Sequence, residues 1–443
     1  MTENMKPSGI AWIGDIPESW DIKRVKYLAS LKGRIGWQGL TSDEYLDEGP
    51  YLITGIDFKN GKVDWNSCVH VSKERWEEAR EIQIENGDLL ITKDGTVGKV
   101  AVISDLDDLA SLNSGVLVIR TKPDFDRKFL YWVLLSEEFW TWFRLKNAGN
   151  STIIHLYQND FAEFTYTFPN YSEQTQIANF LDKQCEKINS VATDIEKQIE
   201  LLQKYKESLI TETVTKGLDK TVAMKDSCIE WIGDIPQHWE VKRIKHCCSN
   251  VGSGTTPESS NFDFYDGEIN WIQSGDLYGI NTIEQTEKSI TDLALKTYST
   301  LKVYRADYVV VAMYGASVGN VAIAKINACV NQACCVLEAT PQSDVRYLYY
   351  WLSHCKEDLI QQSFGGGQPN ISQQKIKNEP MLSLPFDEQT QIANYLDKKC
   401  SKIDSIIESK KEQLEKITQH KKSLIYEYVT GKKRVKGANF NGN

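Results

Sequence analysis

Residues 173–183 read EQTQIANFLDK and residues 388–398 read EQTQIANYLDK, so 10 of 11 positions agree across a separation of 215 residues. A copy of that fidelity makes the chain an internal duplication, in which each half must fold around the same element. That element is a long helix. Apolar residues recur every seven positions at Leu181, Ile188, Ile195, Leu202 and Leu209, with Ile177, Val191 and Ile199 between them. The second copy repeats the phase at Leu396, Ile403, Ile417 and Leu424 with Ile392, Ile406 and Leu414, broken once by Lys410 where the first has Ile195. Pro169 and Pro385 precede the helices, Ser172 and Asp387 stand at the N-cap positions, Glu173 and Glu388 lie in the first turns, and Gly217 and Gly431 follow the ends. The pattern predicts helices of about 40 residues, about 60 Å long at 1.5 Å per residue.

An apolar seam must be covered. A homodimeric coiled coil would do it, but two equal copies in one chain satisfy each other without a concentration-dependent step, so the sequence predicts an intramolecular antiparallel pair. Lys410 fits such a seam if its methylene stem lies along it.

A second motif leads each half. Trp12–Lys26 reads WIGDIPESWDIKRVK and Trp231–Lys245 reads WIGDIPQHWEVKRIK, identical at ten of fifteen positions. Gly-Asp-Ile-Pro is a turn, Trp12, Trp20, Trp231 and Trp239 are apolar anchors around it, and Lys23, Arg24, Lys26, Lys242, Arg243 and Lys245 form basic edges that suit either phosphate or plain solvent. Between this motif and the helix the halves have drifted, yet a skeleton persists. DLLITKDGTVGKVAVIS (88–104) answers to YVVVAMYGASVGNVAIA (308–324), two β-rich runs around a turn with Gly98 opposite Gly319. The aromatic runs FLYWVLLSE (129–137) and YLYYWLSHC (347–355) read as core, and Asn113 answers to Asn331. With strands such as YLITGIDF and GVLVIR, each half becomes a mixed globule.

The fold expected is therefore α+β: two mixed α/β domains joined by two long helices paired as an antiparallel coiled coil, with an internal pseudo-twofold repeat. The divisions are residues 1–171, a helix at 172–216, residues 217–386, a helix at 387–430, and a basic, disordered tail at 431–443.

Chemistry is sparse. No Pro-Pro pair exists to build the loop on which a DNA amino-methyltransferase holds its flipped base. GTVGK at 95–99 lacks phosphate-loop spacing and has Val100 where Ser or Thr would bind magnesium, so it reads as a β-turn. Phe364-Gly-Gly-Gly-Gln reads as a loop, and Asp124, Asp126 and Lys128 imitate a nuclease cluster but share one surface turn after Pro123. Ten cysteines without CxxC, and six histidines without an i, i+4 pair, give no metal-ligand spacing and suit reduced thiols in a cytoplasm. No apolar run approaches a membrane span.

The order WIGDIPxxW-xxKR, variable region, EQTQIAxxLD helix, then the whole order again, resembles the specificity subunit of type I restriction-modification systems over nearly all of residues 10–430. The resemblance implies that each globule is a target recognition domain reading one half of a bipartite, asymmetric site in double-stranded DNA. The helices would set the spacing and hold two modification (methyltransferase) subunits and, through them, restriction subunits. The chain itself would be non-catalytic and cytoplasmic, with S-adenosylmethionine, ATP and Mg on the partner subunits. A scaffold clasping two partners without touching DNA is the alternative. Ile177, Leu181, Ile188, Ile195, Leu202, Leu209, Ile392, Leu396, Ile403, Leu414, Ile417 and Leu424 are the expected helix-pair and subunit interface.

Readout then falls to loops carrying the side chains that distinguish base edges. These are Arg34, Gln38, Lys93, Thr96 and Lys99 in the first half, and Ser253, Thr255, Tyr314, Ser317, Asn320, Gln368 and Asn370 in the second. A net charge of −10 conflicts with a surface devoted to nucleic acid. If partner subunits supply most of the phosphate attraction, the conflict disappears.

Overall fold

A computed structural model describes residues 4–34, 39–148, 154–361 and 370–435. The chain groups into two compact units, residues 1–196 with 412–443 and residues 197–411, so each unit takes one globule and part of both long helices. In chain order the elements used below are β1 (Ala29–Gly33), β2 (Leu89–Thr92), β3 (Val100–Val102), β4 (Val116–Thr121), α1 (Arg127–Leu135), α2 (Tyr171–Lys216), β5 (Cys248–Ser253), β6 (Tyr308–Ala312), β7 (Val321–Ala324), β8 (Cys334–Ala339), α3 (Val345–His354) and α4 (Phe386–Val429).

In the first unit the sheet runs β3-β2-β4-β1, antiparallel throughout. Its central strands are apolar on both faces because both are covered. Leu89, Ile91, Leu117 and Ile119 face the core containing Phe129 and Trp132 of α1, while Leu90, Val116 and Val118 face a second core with Ile53 and Phe58. The second unit repeats this as β5-β8-β6-β7 with Thr282–Ile283 added parallel to β7. There Val309 and Val311 face Tyr347 and Trp351 of α3, and Val310 faces Ile272 and Val330. The aromatic runs are thus core, as the sequence predicts, and the structure makes both of them helices.

The two long helices pair antiparallel within each unit. In the first, Phe180 lies 4.5 Å from Tyr428 between ring centroids and Asn189 accepts a hydrogen bond from Lys421 at 2.7 Å. In the second, Lys206 binds Asp404 at 2.7 Å and Lys410 donates to Gln198 at 2.5 Å. At the position that departs from the seam, the Lys410 ammonium thus has a polar partner on the facing helix. Ile177, Leu181, Ile195, Leu209, Ile392, Leu396 and Ile403 are buried, while Ile188, Leu202, Leu414, Ile417 and Leu424 are half-buried. Val191 (48% exposed) and Ile406 (38%) fall outside the seam, and Ile407 is buried instead. A two-helix seam is narrow, and at 3.6 residues per turn an exact seven-residue phase drifts off it.

Helix punctuation differs by one or two residues from expectation. α2 begins at Tyr171, so its cap is Asn170, whose Oδ1 accepts the Glu173 N–H at 3.0 Å. Ser172 already lies inside. α4 begins at Phe386, leaving Asp387 in the first turn, and the Pro385 carbonyl accepts the Glu388 and Gln389 N–H groups at 3.0 Å.

The repeated undecapeptide is the joint between each long helix and its globule. Gln174 Oε1 accepts the Asp126 N–H (2.8 Å), its Nε2 donates to the Pro169 carbonyl (2.8 Å), and Thr175 donates to Asp126 Oδ2 (2.8 Å). Asp126 in turn caps α1 by accepting the Phe129 N–H, so the central carboxylate of the nuclease-like triplet serves as a helix cap. Asp182 accepts from Lys128 (2.8 Å) and Trp132 Nε1 (2.9 Å). In the second unit Gln389, Thr390 and Asp397 make the same joint with Asp344, Arg346 and Tyr350. Gln174, Thr175 and Asp182, with Gln389, Thr390 and Asp397 in the second copy, are thereby committed, which accounts for their identity in both copies.

The basic tail is ordered over its described part, contrary to expectation. Gly431, at φ +73°, closes α4 beneath Pro17 and Trp20, Lys432 donates to the Asp15 carbonyl, and Lys433 pairs with Glu427 at 2.8 Å. Arg434 holds the buried Glu173 through a hydrogen bond of 2.8 Å and an ion-pair contact of 2.6 Å. A buried carboxylate needs such a partner. Residues 436–443 lie outside the described residues.

In the second unit Glu379 is 5% exposed, and burial together with a hydrogen-bonded Asp358 pushes its carboxyl up to about 7 against a counteracting Lys375. The folded state retains a proton that the unfolded chain releases near the ordinary 4.5. The contribution is fully present below that value and is lost as the pH rises through the raised folded-state value. Denaturant titrations from about pH 5 to about pH 8 should show Glu379→Gln losing this part of the wild-type slope. An unchanged slope in the variant would contradict the assignment.

Candidate nucleic-acid interface

In each unit, four segments meet at one end of the main sheet. In the first they are the β2–β3 turn (93–99), the turn 54–57, residues 113–115, and residues 155–157. Lys93 donates its N–H to the Gly115 carbonyl (2.8 Å) and accepts the Leu156 N–H (3.0 Å), and Asn113 donates its N–H to Ile53 (2.9 Å). Asn113 Oδ1 accepts the Gly115 N–H at 3.3 Å. Thr92 closes the hairpin from inside, donating to the Thr96 carbonyl (2.5 Å) and accepting the Lys99 N–H (2.9 Å). Gly98 sits at φ +82° against the Trp140 ring, where a Cβ would come within 2.4 Å. Asp94 reaches His155 Nδ1 at 2.5 Å, joining two of the segments by side chains.

The second unit builds the same frame from different residues. Met313 donates to Ala333 (2.7 Å) and accepts from Ile371 (2.9 Å), while Asn331 donates to Ile272 (2.9 Å) and accepts from the Ala333 N–H (3.0 Å). Tyr314 bridges to Asn370 where the first unit has Asp94 and His155. Below the frame, Gln158 Nε2 donates to Leu31 and Gln373 Nε2 to Val251, at 3.0 and 3.1 Å. The turns 54–57 and 273–276 also correspond: Asp57 Oδ2 accepts the Thr54 N–H (2.7 Å) and Asp276 Oδ2 the Gln273 N–H (2.8 Å). Burial pushes the Asp276 carboxyl up from 3.8.

The sequence-predicted readers divide accordingly. Arg34 is buried and donates to the Leu112 carbonyl (2.8 Å) and Ser111 hydroxyl (3.2 Å), with burial lowering its guanidinium below the ordinary value. It is a buried residue, tied by these bonds to the strand Ala110–Leu112 rather than presented on a loop. Lys93 is half-buried, Thr96 and Lys99 are exposed, and the Lys99 ammonium donates to the Gly55 carbonyl at 3.3 Å. Ser253 and Thr255 are half-buried at the end of β5, and the Ser253 carbonyl accepts the Tyr304 hydroxyl at 3.1 Å. Tyr314 and Asn370 are exposed within the frame, whereas Ser317 is half-buried and Asn320 accepts from Lys356 at 3.0 Å. Gln38 and Gln368 lie outside the described residues.

Sequence reasoning missed Ile56 and Tyr278, each 75% exposed, and Tyr157 (58%). Ile56 was hidden in a run that reads as continuous strand, although Gly55 inside it marks the break. The basic edges are partly neutralised: Arg24 and Lys26 both pair with Glu163 (2.7 and 2.5 Å), and Lys242 lies 3.3 Å from Glu240. Exposed pairs of this kind are weak and can be exchanged for a phosphate.

The arrangement offers two surfaces of mixed polar, aromatic and aliphatic side chains on rigid turns. Among the described residues no His, Cys, Asp and Glu group could hold a metal ion, and no helix is long and apolar enough to cross a membrane.

Comparison with known proteins gives a consistent result. The family described as type I restriction modification DNA specificity domain matches residues 17–201 and again 236–418. A putative type I restriction enzyme MjaX specificity subunit from Methanocaldococcus jannaschii is 26% identical over 98% of this chain and 97% of its own length. The MjaVIII specificity subunit of the same organism is 24% identical over 96% and 95%. Among solved structures, a chain from work on complex assembly and conformational transition of the type I R-M system superposes with TM-score 0.70 at 17% identity, covering 94% of this chain and 98% of that one. The HsdS subunit from Thermoanaerobacter tengcongensis gives 0.51 at 16% identity, over 94% and 98%.

Proposed function

Because the chain belongs to the type I restriction-modification DNA specificity family, we propose that its two globules read the two halves of one bipartite, asymmetric DNA site. The long helices dock two methyltransferase subunits and, through them, restriction subunits. The observation that carries this reading is the pair of loop frames, alike in backbone bonding but different in side chains. Lys93-Asp94-Gly95-Thr96 in one stands where Met313-Tyr314-Gly315-Ala316 stands in the other. Equivalent frames with different side chains suit two readers of different base sequences. The chain contributes recognition, and methyl transfer and cleavage, with their S-adenosylmethionine, ATP and Mg, fall to the partners in the cytoplasm. Mapping methylated motifs in cells with and without the gene tests this: one bipartite motif should vanish with it. Unchanged methylation would favour a DNA-free scaffold.

The net charge of −10 adds a second expectation. Phosphate neutralisation supplies much of DNA affinity, so the isolated chain should bind DNA weakly and gain selective affinity only with its methyltransferase subunits. Fluorescence anisotropy at two salt concentrations checks it. Tight, salt-insensitive, selective binding by the pure chain would refute it.

A further inference from the structure

Single exposed aliphatic side chains are ordinary on protein surfaces, but Ile56 differs in how it is held. It stands at the third position of the turn Thr54–Asp57, is 75% exposed, and lies among the segments of the first unit's loop frame. The turn beneath it has little freedom. Asp57 is 1% exposed, and its Oδ2 accepts both the Thr54 N–H (2.7 Å) and the Thr54 hydroxyl (2.9 Å). Its Oδ1 accepts the Ser67 hydroxyl at 3.0 Å. From the other side Lys99 donates to the Gly55 carbonyl at 3.3 Å, and a Cβ on Gly55 would lie 3.7 Å from Thr96 Oγ1. An aliphatic finger is therefore fixed beside a lysine and a threonine. At the corresponding position the second unit has Gly275, where a Cβ would meet nothing within 4 Å. The space is open there, so the isoleucine is not needed to fill the frame.

Along the base edges of the major groove the one apolar group is the C5-methyl of thymine. A rigid aliphatic side chain flanked by hydrogen-bond donors matches that combination of an apolar methyl and polar neighbouring edges. We propose that Ile56 is a specificity determinant that packs against a thymine methyl in the half-site read by the first unit. This rests on the DNA-reading function proposed above. It also assigns the preference to one half-site, because Gly275 has no side chain to make the contact.

The test uses the chain assembled with its methyltransferase subunits and duplexes in which each thymine of that half-site, on either strand, is replaced in turn by deoxyuridine, which lacks only the methyl. The wild type should lose about fourfold in affinity at one position, the worth of one buried methyl group. Ile56→Ala should bind the thymine and deoxyuridine duplexes equally at that position while keeping its discrimination at the others. Ile56 is largely exposed, so the variant's thermal unfolding should match the wild type. Selective binding with no deoxyuridine effect at any position, or an effect that persists in Ile56→Ala, overturns the assignment. Absence of any sequence selectivity in the complex overturns the DNA-reading function and this assignment with it.

Discussion

Exchanging residues 30–165 for the corresponding stretch of another family member should change one half of the methylated motif and leave the other half as it was. The exchange should fold because the joint it must re-form is generic. In the first unit Gln174 and Thr175 grip Asp126, and Asp182 takes Lys128 and Trp132. In the second unit Gln389, Thr390 and Asp397 grip Asp344, Arg346 and Tyr350, although the aromatic helix there differs at most positions. One joint already accepts two globules within this chain, so a third that carries the capping aspartate meets the same partners. The loop frame travels with the exchanged stretch, since its segments at 54–57, 93–99, 113–115 and 155–157 all lie inside it. Methylation mapping of the chimera is the measurement. If both halves changed together, reading would not be divided between the globules.

Gly431→Ala should destabilise the first unit by about 3 kcal/mol, combining the cost of a left-handed alanine with overpacking against a rigid ring. Gly217→Ala should cost the second unit only about 1 kcal/mol, mostly from backbone strain. Both glycines end long helices at nearly the same φ, +73° and +71°. What differs is the roof. A Cβ on Gly431 would stand 2.5 Å from Cδ and 2.8 Å from Cγ of Pro17, whose ring is tied to the strand Asp15–Pro17, whereas the nearest atom to a Cβ on Gly217 is Trp239 Cζ2 at 3.2 Å. Hydrogen exchange resolved by segment separates the two effects, because protection should fall around Asp15–Trp20 and the end of α4 in one variant and barely change in the other. Equal losses would mean that the Pro17 hairpin yields.

The repeat, both long helices, the glycine ends, the β2–β3 and β6–β7 hairpins and the aromatic cores were legible because each is local. Periodicity, turn residues and an internal copy are properties of neighbouring positions. The reading frames were not legible in the same way. Asn113 and Asn331 could be matched by eye, but Lys93 with Met313, or Leu156 with Ile371, correspond only through backbone hydrogen bonds, to which side-chain identity is indifferent.

The sequence by itself therefore determined a duplicated α+β chain with two long amphipathic helices and two drifted globules. Tertiary structure decided how individual polar residues are used. It turned Arg34 inward onto the Leu112 carbonyl, made the undecapeptide's glutamine and threonine into a joint, and placed Arg434 on Glu173 at the far end of the sequence. The physical reason is that a charged or amide side chain carries no preference for loop or core until a specific partner is brought to it. Its desolvation is unfavourable alone and offset only when the fold supplies the matching donor or acceptor.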